Sequence, residues 1–447
     1  MRQVAGRAGL AMLAVMTGVA MASLDTAIAN TALPAMAAQL HTTPAGSIWI
    51  VNIYQLAMLA TLLPFAALGE IAGFRRVFIG GLIVFTVASL ACALAWSLPV
   101  LVAARFAQGI GASAMMAVAT ALMRAIYPPD LLGRGFGTNA LVVAVAFAVG
   151  PTVASLILAV ASWPWLFAIN VPFGIGAMWL ARRCLPDSGR GTHRFDPLAA
   201  LYNAGAFGAL VLLFGDAAHG VAPLRLGAEL AAAVICFGLL LRRQRGQRFP
   251  LLPVDLFRSP LFSLSALTSV CTFAVQGLCF VSLPFYFESI GRSPIDTGFL
   301  MTPWPAMVAV MAPIAGRLSD RWSSAILGGI GLAVLSAGVM ALVVLPATPS
   351  ALDIAWRMGL CGVGFGFFQA PNMKAIMASA PADRAGGASG IVATSRLMGQ
   401  AAGVALVACC FIVAGNGGPR LGLMVAVGFA AVGAGASLLR LRFDANR

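Results

Sequence analysis

Lysine is almost missing from this 447-residue chain: Lys374 stands alone, between Met373 and Ala375. A phosphate-binding loop of the form Gly-x-x-x-x-Gly-Lys-Ser/Thr therefore cannot be written anywhere in it, which removes the common route to nucleotide-driven work. Charge of either sign is sparse, at 9% of residues against 60% hydrophobic ones, and the mean hydropathy is +0.94. So few charges cannot clothe a soluble protein of this length. The three histidines, His41, His193 and His219, fall in separate loops. They suggest neither a metal site nor a nucleophile–base set, so the chain does not read as an enzyme. The eight cysteines lie mostly in apolar runs, with no metal or disulfide spacing.

What is abundant is apolar sequence in membrane-length pieces. A span needs about 20 mostly apolar residues, and about fourteen such stretches can be marked. They are 8–32, 46–68, 77–96, 98–123, 136–160, 164–181, 197–215, 222–241, 261–287, 296–316, 324–345, 351–372, 387–414 and 419–439. The fold class is thus an all-α polytopic membrane protein.

The net charge of +14 invites a nucleic-acid reading, which the placement of the arginines rejects. Arg75 and Arg76 follow the second span, Arg124 and Arg134 the fourth, Arg182 and Arg183 the sixth, Arg242 and Arg243 the eighth, and Arg317 and Arg321 the tenth. Alternate loops hold only Arg225, Arg292 and Arg420. Basic residues on every second loop mark the cytoplasmic face. Both termini are then cytoplasmic, and the partner is a lipid bilayer, with no nucleic acid. Scarce lysine beside plentiful arginine and alanine suggests a bacterial source, and hence the cytoplasmic (inner) membrane. The oligomeric reading is a monomer.

Two polar stretches, 182–196 and 242–260, isolate a pair of spans and leave six on each side. The division expected is a six-helix bundle over 1–182, linkers and two additional helices over 183–260, and a second six-helix bundle over 261–447. The halves echo each other. Glu70, Gly73, Arg75 and Arg76 fill the turn after the second span, and Asp320 and Arg321 the turn after the tenth. Arg105-Phe-Ala-Gln108-Gly109-Ile-Gly111 in the fourth span parallels Arg357-Met-Gly-Leu-Cys-Gly362-Val-Gly364 in the twelfth. Repeated halves with a site between them are a recurring transporter plan.

Between Arg7 and Glu70 one formal charge interrupts the apolar sequence, Asp25. A carboxylate at hydrocarbon depth costs roughly 2.5–3.5 kcal/mol on insertion scales unless it is paired or protonated, which makes it a natural proton carrier. Arg105 sits eight residues into another apolar span, and reads either as a buried partner of a carboxylate or as a snorkelling side chain. Asn52, Tyr54 and Gln55 on the second span, with Asn30 and Gln108, could line a cavity for an organic cation. Glu288 reads as an interfacial carboxylate or as an acidic contact for that cation. Glu229 can face Arg225 one turn away, and Arg396 stays open between packing and site.

At several of these places the chain resembles the major facilitator superfamily, in its fourteen-helix drug:proton antiporter branch. The residues that carry the resemblance are Leu24-Asp25-Thr-Ala-Ile28-Ala-Asn30-Thr-Ala32-Leu33-Pro34, Arg105-Phe-Ala-Gln108-Gly109-Ile-Gly111, Gly150-Pro151, and Trp163-Pro-Trp165-Leu-Phe167-Ala-Ile169-Asn170-Val171-Pro172. Two motifs depart from the family pattern. The loop after the second span has Ala66 for its first glycine and Ile71 for its first arginine, and Ala154 and Ser155 replace two glycines after Gly150-Pro151. The second departure predicts looser packing there.

The resemblance implies the major facilitator fold and a multidrug efflux transporter. It would export hydrophobic, cationic compounds in exchange for protons, driven by the proton gradient with no cofactor. Asp25 and Arg105 would couple the proton, Gly150-Pro151 would favour exchange, and the acids and arginines of the two turns would gate the cytoplasmic side. The rival within the class is a proton-coupled transporter of an amino acid or anionic metabolite.

Overall fold

The computed structural model describes residues 2–126, 132–187, 196–218, 223–244, 254–319, 321–346, 348–380 and 385–444. In the first half run α1 (Arg2–Gln39), α2 (Pro44–Ser47), α3 (Trp49–Ala72), α4 (Phe74–Ala93), α5 (Leu98–Ile126), α6 (Leu132–Val160), α7 (Pro164–Ala168) and α8 (Asn170–Cys184). A hairpin of α9 (Pro197–Ala218) and α10 (Pro223–Gln244) follows. The second half holds α11 (Pro260–Ser289), α12 (Pro294–Met301), α13 (Pro303–Leu318), α14 (Ser324–Val343), α15 (Ala351–Ser379), α16 (Ala385–Ala414), α17 (Gly418–Leu439) and α18 (Leu441–Asp444). Twelve candidate membrane spans are present among the described residues, one of which, Gly390–Phe443, takes in most of α16 and all of α17. The molecule is an all-α polytopic bundle, and its outside carries exposed apolar side chains such as Val87, Trp96, Val160, Trp179, Leu224 and Val234. Water would not tolerate so continuous an apolar exterior, whereas a bilayer requires one.

Two expected spans are broken rods. The run 164–181 divides at Ile169, because Pro172 has no N–H to give the carbonyl of Ala168. The run 296–316 divides at Thr302, where Pro303 and Pro305 withhold two donors in succession. The Thr302 hydroxyl answers the carbonyl of Gly298 at 2.9 Å and meets the Thr152 hydroxyl of α6 at 2.8 Å. Here the loose packing expected from Ala154 and Ser155 is corrected. Both are fully buried, and the Ser155 hydroxyl lies 2.9 Å from the carbonyl of Pro151 and 2.7 Å from that of Pro294 on α12. The serine ties the two halves together instead of loosening them.

Within the halves the same joints recur. Gly109 on α5 faces the carbonyl of Tyr54 on α3, and Gly111 faces the backbone of Gly81 and Phe85 on α4. Gly362 on α15 faces the carbonyl of Trp304 on α13, and Gly364 faces the backbone of Gly331 and Leu335 on α14. This register corrects the parallel between Arg105 and Arg357. With the glycines superposed, the place of Arg105 falls to Met358, which is fully buried. Arg357 turns aside to Asp353 at 3.0 Å, one helical turn away, and to the carbonyl of Ala341.

The halves meet at one end of the bundle. A continuous core there joins Ile28, Leu33, Met36, Ile48 and Phe167 to Phe280, Leu283, Met301, Trp304 and Phe365. This is the end of the Gly291 turn, whose glycine has φ 78°. Toward the opposite end, that of Gly73 (φ 98°), the first half keeps a core almost entirely its own, and a space opens between the halves. The α9–α10 hairpin rests on α3 and α16 through α9. Asn203 of α9 donates to the carbonyl of Ala60 on α3 at 2.8 Å. Helix α10 packs on α9 and leaves most of its surface outward.

Candidate functional site

Asp25 lies midway along α1, and the helices around α1 bring its partners from far along the chain. Its Oδ2 accepts from Arg105 Nη1 of α5 at 2.5 Å. Its Oδ1 accepts from Gln108 Nε2 at 2.8 Å and from Asn170 Nδ2 of α8 at 3.0 Å. Arg105 and Gln108 are three residues apart and so share a helix face. Arg105 Nε donates to the carbonyl of Ile50 at 3.0 Å, and its Nη1 also reaches Gln108 Oε1 at 2.7 Å. Gln108 Nε2 is held in turn at 2.9 Å from Ser89 Oγ on α4. The guanidinium carbon stands 4.1 Å from the centroid of the Tyr54 ring and 5.4 Å from that of Phe167. Asp25 is 1% exposed and Arg105 0%. Desolvating such a pair costs several kcal/mol per ion and is offset only when charge-assisted hydrogen bonds fill the remaining sites. The amides of Gln108 and Asn170 and the carbonyl of Ile50 supply most of them here, while Arg105 Nη2 has no hydrogen-bond partner among the described residues.

Beside this cluster, on the Gly73 side of the inter-half core, is a cavity of about 250 Å³. It is lined from α1, α3, α5 and α6 in the first half and from α11, α15 and α16 in the second. Neither Asp25 nor Arg105 reaches its wall. Tyr54 does, so the ring stacked on Arg105 screens the ion pair from the cavity.

The expected site residues divide accordingly. Tyr54 and Gln55 line the cavity. Gln108 belongs to the ion-pair cluster and not to the cavity. Asn30 and Asn52 are buried but absent from the cavity wall, because they lie toward the end where the halves are packed together. Of the two readings of Glu288, the structure favours the interfacial one: it is exposed in the last turn of α11, at the closed end and away from the cavity wall, which corrects its place among the cavity residues.

The turn charges also differ from expectation. Glu70 and Arg76 are exposed and form no ion pair with each other. Arg75 crosses to the end of α8, donating to the carbonyl of Arg182 at 2.5 Å and approaching Asp187 at 3.8 Å. The unpaired carbonyls of a helix C-terminus attract a cation, and that outcompetes an exposed contact with Glu70. Asp320 lies outside the described residues, and Arg321 is exposed. Lys374 of α15 meets the carbonyl of Ser319 at 2.7 Å, a cross-helix tie that sequence reading had not marked. Gly150 and Pro151 are buried within α6, and a Cβ on Gly150 would stand 2.4 Å from that of Ala27 on α1. Glu229 does face Arg225, at 3.2 Å, and Arg225 also holds Asp216 at 2.6 Å, all within the hairpin.

Three contributors were not singled out from sequence. Asn170 had a signal, since it stands in the Trp163–Pro172 motif. Ser89 and the Ile50 carbonyl had none. Arg396, left open, proves to line the cavity.

A two-halved helical membrane bundle with a central cavity and a buried ion pair beside it defines a membrane transporter rather than an enzyme. The sequence profile of the Major Facilitator Superfamily matches residues 15–404, and the chain belongs to that family. It is 50% identical over 440 residues to the uncharacterized transporter YebQ of Escherichia coli K12, covering 98% of this chain and 96% of that one. It is 31% identical over 403 residues to the multidrug resistance protein Stp of Mycobacterium tuberculosis, covering 89% and 75% respectively. Among solved structures it resembles a bacterial homolog of the human lysosomal transporter Spinster, in an inward-facing and unoccupied conformation. The TM-score is 0.70 at 15% identity, over 98% of this chain and 97% of that one.

Proposed function

We propose that this transporter is a proton-coupled antiporter of the fourteen-helix drug-export type. It moves hydrophobic amphipathic compounds out across a bacterial cytoplasmic membrane by alternating access. The count of fourteen takes α9 as a span and α16 and α17 as one span each, giving six, two and six helices about the polar linkers. The alternation of arginines puts both termini in the cytoplasm. The observation that carries the coupling is the Asp25–Arg105 pair, fully buried beside the cavity and held by Gln108 and Asn170. Proton uptake by Asp25 would release its ionic hold on Arg105 and free α1 to shift against α5, and closure of the opposite face would restore the pair. The drug-resistance name of the 31% identical relative supports the export direction.

The test is pH-probe fluorescence in respiring inside-out vesicles challenged with a panel of hydrophobic ions of both signs. Solute-evoked collapse of the proton gradient is expected. Its absence with every solute, in vesicles that contain the protein, would overturn antiport.

Tyr54 supplies a companion prediction. Its hydroxyl is held only by local contacts on α1, the carbonyl of Ala22 at 3.4 Å and the side chain of Thr26, so Tyr54→Phe keeps the ring in place and is expected to leave the solute-independent proton leak unchanged. Tyr54→Ala removes the screen and is expected to raise that leak. Equal leaks in the two variants would show that the ring does not separate pair from cavity.

A further inference from the structure

The cavity carries charge of one sign. Among the described residues that line it, Arg396 of α16 is the single ionised side chain, and no carboxylate faces it. The two acids that would draw a cation are elsewhere: Asp25 is engaged with Arg105 behind Tyr54, and Glu288 is exposed at the closed end. Arg396 Nε has no hydrogen-bond partner. Its guanidinium carbon stands 5.7 Å from the rings of both Phe147 on α6 and Phe273 on α11, so an aromatic face from each half flanks the cation. An arginine at membrane depth without a counter-ion is costly, and a buried polar atom without a partner calls for an explanation. Three more residues of the same wall, Ser23, Gln55 and Asn139, each carry a buried oxygen without a partner, Oγ, Oε1 and Oδ1 respectively.

We propose that the cavity binds compact aromatic anions, with Arg396 receiving a carboxylate or similar anionic group and Phe147 and Phe273 flanking the ring. This rests on the transporter reading above and names its substrate class. A guanidinium pairs with a carboxylate through two parallel N–H donors, and rotation of the wall side chains Ser23, Gln55 and Asn139 would bring their unpartnered oxygens to hydroxyl or amine groups on the same solute. The volume of about 250 Å³ is below the roughly 300–1,000 Å³ of pockets for drug-sized ligands, which favours two- or three-ring skeletons. A cationic solute would enter opposite an uncompensated positive charge.

The test compares two probes of one skeleton, 2-naphthoate and 2-naphthylmethylammonium, by titration calorimetry on the purified full-length protein in nanodiscs, with empty nanodiscs subtracted. The naphthoate is expected to bind the unsubstituted protein more tightly than the ammonium. Arg396→Gln is expected to weaken naphthoate by about 10- to 150-fold, the range for losing a hydrogen bond to a charged group, and Arg396→Lys to fall between. Tighter binding of the ammonium, no binding of either probe at millimolar concentration, or equal naphthoate affinity in Arg396→Gln would each overturn the proposal. The comparison of probes needs no variant, so misfolding of a substituted protein cannot mask the answer. Binding is read without a gradient. Preference for the ammonium alongside intact proton exchange would sink the anion assignment alone, and naphthoate binding without any proton exchange would sink the antiport reading alone.

Discussion

Asp25→Asn is expected to abolish solute-evoked proton movement while leaving solute binding intact. The carboxylate makes three contacts, and an amide cannot repeat them: one of its ends is now a donor and meets the donors of Arg105, Gln108 or Asn170. Gln108 has little freedom to turn its oxygen toward the new donor, because Arg105 Nη1 already holds that oxygen at 2.7 Å. Arg105 is left as a buried cation without a counter-charge, a loss that costs about 3–5 kcal/mol in buried pairs. A lower thermal midpoint in detergent is therefore expected, together with a fall of roughly two orders of magnitude or more in the rate of gradient collapse, as for removal of a proton-transferring group. Collapse at the unsubstituted rate, at matched membrane levels, would remove Asp25 from the coupling path.

The second large effect is steric. A Cβ at Gly111 would lie 2.5 Å from Phe85 N and 2.8 Å from Gly81 O, and one at Gly364 would lie 2.3 Å from Leu335 N and 2.6 Å from Gly331 O. Every obstructing atom is backbone, so no side chain can swing away and two helices must separate. Gly111→Val and Gly364→Val are each expected to cost at least the roughly 1–3 kcal/mol of ordinary overpacking. Most of the folded protein should then be lost from a size-exclusion profile. Gly80→Ala and Gly435→Ala, where a Cβ meets nothing within 4 Å, are expected to keep the unsubstituted profile. Normal yield of Gly364→Val would show that α14 and α15 do not depend on that close approach.

Much of the bundle was legible because a bilayer imposes a length on each apolar run, and the runs are separated by arginine-bearing loops. What stayed hidden depends on contacts made after folding. The breaks at Ile169 and Thr302 follow from prolines withholding donors, which a hydropathy window averages away. Asp25 was legible as a lone charge, and Gln108 shares a face with Arg105 by spacing alone. Nothing in the local sequence showed that Arg105 would close on a residue 80 positions earlier. The misplaced parallel between Arg105 and Arg357 came from matching charges. Matching glycines gives the right register, because close backbone approach tolerates no side chain. Glu288 was legible as an interfacial charge from its place at a span end, whereas Glu70 misled because sequence reports that a charge exists, but not which partner its neighbours will choose.

The Tyr54 screen has a consequence for how such a protein can change over generations. On the proposed mechanism the solute would be met by one set of side chains and the proton by another, with the Tyr54 ring between them. Residues at the cavity wall would then be replaceable, and the cargo alterable, without disturbing the carboxylate and guanidinium proposed to draw on the gradient. A single inherited engine of this design would be refitted for unlike cargoes by substitutions on one side of Tyr54 alone.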